Sequence, residues 1–294
     1  MNTIGPVLIT GGTGFLGRAL TEKLLSKGET VVTMDLTAPA NPPAPPGLIR
    51  ETGDIRDNTA LRRIAETHGI RAIVHLAALV IPDCRAKPVL GAEVNVIGQL
   101  NIFELARDLQ IRRLVHASSA AARPRGPLDS PANLYGAYKR CCEDIAKVYY
   151  MDYGVPSVGL RPNVVYGPGR ELGETAAITL AMRAAAENRA YELPFRGEMC
   201  FQHVDEVTDI FLRCLYVEND VPVVSDLTTQ TRSIDDVIAA ILAVHPDSRI
   251  TAANVHRAAP EGLDNGPLRK LLGDWSTVSL EEGTRRTLAA FAPD

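Results

Sequence analysis

Short apolar runs recur through the first half of the chain, at residues 7–10, 31–35, 72–76, 113–117 and 157–161. Each is too short for a helix and reads as a buried strand. The stretches between them keep a different rhythm. Leu16, Ala19, Leu20, Leu24 and Leu25 recur at helical spacing and predict a helix over 16–27. Similar patterning predicts helices over 58–68, 94–109 and 135–153, and a short strand over 48–51. Strand and helix alternating in this way imply a parallel sheet covered on both faces. Right-handed crossovers then give a doubly wound, Rossmann-type α/β fold. Pro39, Pro42, Pro43, Pro45 and Pro46 fix φ too often for helix or sheet interior, so this stretch reads as a surface connector.

Beyond residue 168 the alternation loosens. Helices are expected over 175–188, 204–217, 234–244 and 280–291, with a strand over 221–225. The expected organisation is a Rossmann domain over 1–168, with 201–226 returning to it. A smaller mixed α/β substrate lobe takes 169–200 and 227–294.

Composition narrows the class. Net charge is −4, which argues against nucleic acid as a partner. No apolar stretch is long enough for a membrane span. The opening MNTIGPVLIT lacks the basic region of a signal peptide. The five cysteines form no C-x-x-C pair and no zinc spacing, so reduced thiols, a cytoplasmic location and no metal are expected.

Chemistry enters at Thr10-Gly11-Gly12-Thr13-Gly14-Phe15-Leu16-Gly17, between the first strand and the first helix. Gly11, Gly14 and Gly17 allow a sharp turn and let a pyrophosphate approach backbone N–H groups at the helix start, including those of Phe15 and Leu16. No Gly-Lys-Ser/Thr follows, so it is not a P-loop. Asp35 ends the second strand 18 residues past Gly17. An acidic residue there binds a ribose diol and repels a 2′-phosphate, which favours NAD over NADP.

Tyr135 and Lys139 lie four apart on a predicted helix and share a face. An ammonium beside a phenol stabilises the phenolate, which can then take a proton from a substrate hydroxyl. Tyr138 has Cys142, not a lysine, four residues on. Ser118 and Ser119 end the fifth strand at the carboxyl edge, where such sheets bind ligands.

Together these residues resemble the extended short-chain dehydrogenase/reductase family, the NAD-dependent epimerase/dehydratase group. The resemblance also takes in Gly53-Asp54-Ile55-Arg56-Asp57, His75-Leu76-Ala77-Ala78 and Asn95-Val96-Ile97-Gly98. Further on it includes Tyr166-Gly167-Pro168-Gly169, Phe201-Gln202-His203-Val204-Asp205, and Ser279-Leu280-Glu281-Glu282-Gly283. It implies that Tyr135 is the catalytic base, that Lys139 holds the ribose, and that Ser119 is the catalytic serine with Ser118 as fallback. It also implies cofactor contacts from Asp54 and Ile55 at the adenine and from Leu76, Ala77 and Ala78 at a strand end. Asn95 is implied to be structural. A homodimer through helices 94–109 and 135–153 is implied as well.

The chain departs from the nucleotide-sugar members of this group. Their asparagine before the Y-G-P segment is replaced by Val164, with Asn163 shifted by one. The arginine expected four residues before His203 is Met199, and residues 258–263 hold no second arginine. Charge-assisted arginine contacts are the strong ones for a diphosphate, so their loss points to a smaller substrate. The loop holding Arg123 and Arg125 is expected beside the substrate, with either arginine a candidate contact for a carboxylate. Asn163 is a further substrate-binding candidate, and Arg170 and Thr175 are candidates for the wall of the second lobe. The expected activity is NAD-dependent oxidation or epimerisation at a secondary alcohol of a sugar, sugar acid or polyol. The alternatives are a UDP-sugar 4-epimerase with rearranged anchors and a non-catalytic NAD-sensing protein.

Overall fold

The computed structural model describes residues 3–37, 43–125, 128–228, 230–260 and 262–292. Residues 38–42 of the proline-rich connector and 126–127 of the arginine loop lie outside them. The first half runs β1 (Val7–Thr10), α1 (Phe15–Ser26), β2 (Val31–Asp35), β3 (Leu48–Thr52), α2 (Asn58–Thr67), β4 (Ala72–His75). Two short helices follow, α3 (Ile81–Ala86) and α4 (Pro88–Ala92), then α5 (Gly98–Asp108), β5 (Arg113–Ala117), α6 (Leu134–Tyr153) and β6 (Val158–Arg161). The predicted helix over 94–109 is divided: residues Glu93–Ile97 form a wider π turn before α5.

The second half contains β7 (Val164–Tyr166), α7 (Ala177–Ala186), β8 (Tyr191–Leu193), β9 (Glu198–His203), α8 (Val204–Tyr216) and β10 (Val223–Asp226). It continues with β11 (Thr231–Ser233), α9 (Ile234–Val244), β12 (Ile250–Ala252), α10 (Gly266–Leu272) and α11 (Leu280–Ala289). The main sheet has strand order β10-β6-β5-β4-β1-β2-β3, parallel throughout. This is the doubly wound order, and its switch point lies between β1 and β4. A second, three-stranded sheet is mixed: β9 pairs parallel with β7 and antiparallel with β11.

Separate apolar clusters fill the two faces of the main sheet. One gathers Leu20 and Leu24 of α1 with Ile210 and Phe211 of α8. The other gathers Leu61 and Ile64 of α2 with Ile102 and Phe103 of α5. A further cluster joins α7, α9 and α11 around Tyr166 and Phe201. Several sequence motifs are explained by packing alone. A Cβ on Gly283 would lie 2.0 Å from the Tyr166 hydroxyl, so this glycine admits a fully buried tyrosine beneath α11. A Cβ on Gly98 would lie 2.5 Å from Ile55, so α5 rests directly on that side chain. Asn95 donates to the carbonyls of Leu79 and Gly91 and ties down the loop after β4.

His75 and His116 face each other in register on β4 and β5, both buried. Burial keeps both imidazoles neutral, and the charge of Lys139 pushes the same way. His116 is driven down to about 3, against about 6.5 for a free histidine. Below about pH 6.5 the unfolded chain binds protons that the native state refuses, so stability falls as pH falls. Each such histidine contributes a slope of about 1.4 kcal/mol per pH unit through this window. Neither ring nitrogen of His116 has a hydrogen-bond partner among the described residues. We therefore expect His116→Leu to flatten stability against pH by about that slope between about pH 6 and pH 4. Denaturant titrations at several pH values check this; parallel curves for variant and wild type refute it.

Candidate functional site

A cavity of about 610 Å³ opens at the carboxyl edge of the main sheet. The β1–α1 turn forms one wall. Gly11 has φ +71°, and a Cβ there would lie 2.8 Å from the Ala77 nitrogen. A Cβ on Gly17 would lie 2.3 Å from the Gly11 carbonyl oxygen. The turn can close against the end of β4 and against itself only because these residues lack side chains. Gly14 is the N-cap of α1 and offers no capping group. The first N–H groups of a helix have no intrahelical partner, so this end of α1 is a cradle for an anion. Gly14, Phe15, Leu16 and Gly17 line the cavity, as do Leu76 and Ala78 opposite. Ala77, between them, lies outside the lining; its N–H donates to the Thr10 hydroxyl, 3.4 Å away.

Asp35 stands at the end of β2 and folds back on the turn. Its Oδ2 accepts from the Thr13 N–H at 3.1 Å and from the Thr13 hydroxyl at 2.6 Å. Asp54 pairs with Arg56 at 2.6 Å, and that contact, opposed by partial burial, holds its carboxyl below the usual range. Ile55 is buried under α5. Asp35, Asp54 and Ile55 lie outside the cavity lining, toward the β2–β3 side of the turn.

Helix α6 supplies the second wall. Asn133 caps it, accepting from the Gly136 N–H at 2.9 Å, which sets the first turn that carries Tyr135. A Cβ on Gly136 would lie 2.1 Å from the Ala121 carbonyl oxygen, so the helix start packs directly on the turn after β5. Lys139 is buried one turn on, its Nζ donating to the Ala117 carbonyl at 2.6 Å and lying 5.8 Å from the Tyr135 ring centre. Tyr138 instead donates to the Pro88 carbonyl at 2.9 Å, outside the cavity lining.

The two serines diverge, as successive residues of an extended strand end do. Ser118 is buried and donates its hydroxyl to Glu143 of α6. Ser118 also lines the cavity, with its hydroxyl proton engaged by Glu143. Ser119 lines the cavity and caps a single turn over Ala120–Ala122, accepting from the Ala121 N–H at 3.1 Å.

The arginines also divide. Arg123 is turned away from the cavity, its Nε 3.1 Å from buried Asp226 Oδ2, so it does not line a substrate site as expected. Arg125 lines the cavity instead. Arg170 lines it too, with its guanidinium 5.5 Å from the Phe15 ring centre. Burial lowers the pKa of Arg170, against an opposing pull from Tyr135. Asn163 and Thr175 line the cavity, and the Asn163 Nδ2 has no partner among the described residues. Met199 presents an apolar side chain to the same wall. Several lining residues escaped the sequence reading, among them Arg18, Asp83, Glu174 and Arg257. Arg257, immediately before the stretch 258–263, lines the cavity and pairs with Glu174 at 2.7 Å. Its position one residue upstream of that window was the available signal.

The profile of the NAD dependent epimerase/dehydratase family matches residues 7–225. A putative UDP-glucose 4-epimerase of Methanocaldococcus jannaschii is 28% identical over 229 residues, 73% of this chain and 75% of its own. Among solved structures, L-threonine dehydrogenase from Clostridium difficile superposes with a TM-score of 0.86 at 21% identity, covering 99% of this chain and 98% of that one. The UDP-glucose 4-epimerase of Thermus thermophilus, in complex with NAD, gives 0.81 at 24% identity over 97% and 98% of the two chains.

Proposed function

The chain belongs to the NAD dependent epimerase/dehydratase family, an enzyme family with NAD as cofactor, and from that premise we propose that it oxidises a secondary alcohol of a small, sugar-like molecule. One observation carries the reading: Ser119, Tyr135 and Lys139 open onto the same cavity as the glycine turn. Bound NAD supplies the hydride acceptor. Tyr135, acting as a phenolate, would take the proton of the substrate hydroxyl as the carbinol carbon gives up hydride. Ser119 orients the substrate oxygen. The Lys139 ammonium, steadied by the Ala117 carbonyl and 5.8 Å from the Tyr135 ring centre, is assigned to hold the ribose beside that tyrosine. Asp35 takes the ribose diol, and Asp54 and Ile55 flank the adenine. We assign the cofactor to residues 1–168 and 201–226, and the substrate wall to 169–200 and 227–294.

Cavity size favours a small substrate. About 610 Å³ falls within the range of a single-ligand site, yet it must take the reactive half of a dinucleotide and the substrate together. Met199 in the wall adds no charge for a diphosphate. Arg257 favours the second reading, a UDP-sugar epimerase with one anchor kept. The two separate on cofactor turnover. A dehydrogenase forms net NADH on a panel of sugars, sugar acids and polyols. An epimerase keeps its NAD through purification and forms none. The assembly we infer is a homodimer, because exposed Ile97, Val148, Met151 and Tyr153 lie along the two helical segments expected to pair. Light scattering tests it.

A further inference from the structure

Arg125 is held by its backbone, whose N–H donates to the Ser130 carbonyl at 3.1 Å. Its side chain has no hydrogen bond or ion pair among the described residues, and its Nε is buried without a partner. A guanidinium partly withdrawn from water normally finds an anion, because desolvating an unpaired charge is unfavourable. Here burial, and then the charge of Arg257, lower its pKa, while Glu174 opposes them. Glu174 is already engaged by Arg257 at 2.7 Å. Around Arg125, two guanidinium groups therefore face one carboxylate, which leaves positive charge in excess at this end of the cavity. The neighbouring arginine shows the contrast: Arg123 has Asp226.

The surplus lies on the substrate side. Arg125 follows the Ser119 turn, and Arg257 stands on the facing wall beside Phe195. The pyrophosphate cradle is elsewhere, at the start of α1, where Arg170 stacks on Phe15. We propose that Arg125, with Arg257, forms a subsite for an oxyanion carried by the substrate, a carboxylate or a phosphate. The inference rests on the alcohol-oxidation reading and narrows its substrate to an anionic hydroxy compound. Arginine suits the task because its fork matches either group in a two-pronged contact.

The test uses NAD-saturated protein, so that the cradle is filled. Melting temperature is followed against malonate, inorganic phosphate, and sodium chloride at matched ionic strength. Malonate or phosphate is expected to raise it above the chloride value. A response to malonate marks a carboxylate, and one to phosphate marks a phosphate ester. In Arg125→Leu the apparent affinity for that anion is expected to fall about 10–100-fold, the worth of a charge-assisted contact, while Arg125→Lys keeps part of it. Arg125→Gln serves if the leucine variant fails to fold. No rise with either anion overturns the proposal, as do equal rises in wild type and Arg125→Leu. Stabilisation by NAD alone is read first. Its absence removes the oxidation reading and leaves the anion comparison standing.

Discussion

Tyr135→Phe is expected to lower turnover by about 10²–10⁴-fold, the usual contribution of a positioned acid–base group, with little change in NAD affinity or stability. The ring stays and only the hydroxyl goes. Gly136, packed on the Ala121 carbonyl, still fixes the helix start. Lys139 keeps its bond to the Ala117 carbonyl. What disappears is the group that takes the proton as hydride departs. Net turnover on the best substrate of the panel, with calorimetric titration of NAD, checks the expectation. Tyr138→Phe is the control, since that hydroxyl is spent on the Pro88 carbonyl. A Tyr135→Phe protein that retains its biological effect would favour the NAD-sensing alternative.

The parts of this site that are local in sequence were legible. A glycine turn between strand and helix, and a tyrosine and lysine one helical turn apart, carry their geometry in their spacing. The arginines carry none. Arg123 and Arg125 are two residues apart, and what separates them is Asp226, about a hundred residues away. The serines were half legible. Strand alternation requires Ser118 and Ser119 to face opposite ways, but which one meets Glu143 depends on how α6 packs. Elements behave likewise. β1, β2 and β5 have the bounds their apolar runs predict. β8, β11 and β12 are three residues each, too short for a period to show. β9 is buried at five successive positions and lacks alternation. α3 and α4, with Pro82 and Pro88 in their first turns, are six and five residues long, too short for a helical period to show.

Glu143→Ala is expected to cost about 3–5 kcal/mol of stability, the loss seen when one member of a buried ion pair is removed. Glu143 is buried on α6, one turn beyond Lys139. It accepts from the Ser118 hydroxyl and from Arg161 Nε at 2.6 Å. Arg161 also reaches Asp226 at 3.5 Å, and Asp226 holds Arg123 and accepts from the Asp264 N–H at 2.8 Å. The ends of β5, β6 and β10 are thereby joined to the helix that carries Tyr135. Without Glu143, Arg161 keeps one long contact for a charge that is mostly out of water, and Ser118 loses its acceptor. Asp144→Ala, removing the exposed pair with Lys147, should cost at most about 1 kcal/mol. The midpoint of denaturant unfolding at constant slope reads both. A loss below about 1 kcal/mol for Glu143→Ala would place this network with surface pairs. The cycle with Arg161→Met decides the cause. Replacing both partners by apolar groups can be near neutral, so Glu143→Leu with Arg161→Met should recover much of what either change loses. If stability returns while turnover stays low, the network is holding Ser119 through Ser118, and its service is to geometry more than to folding.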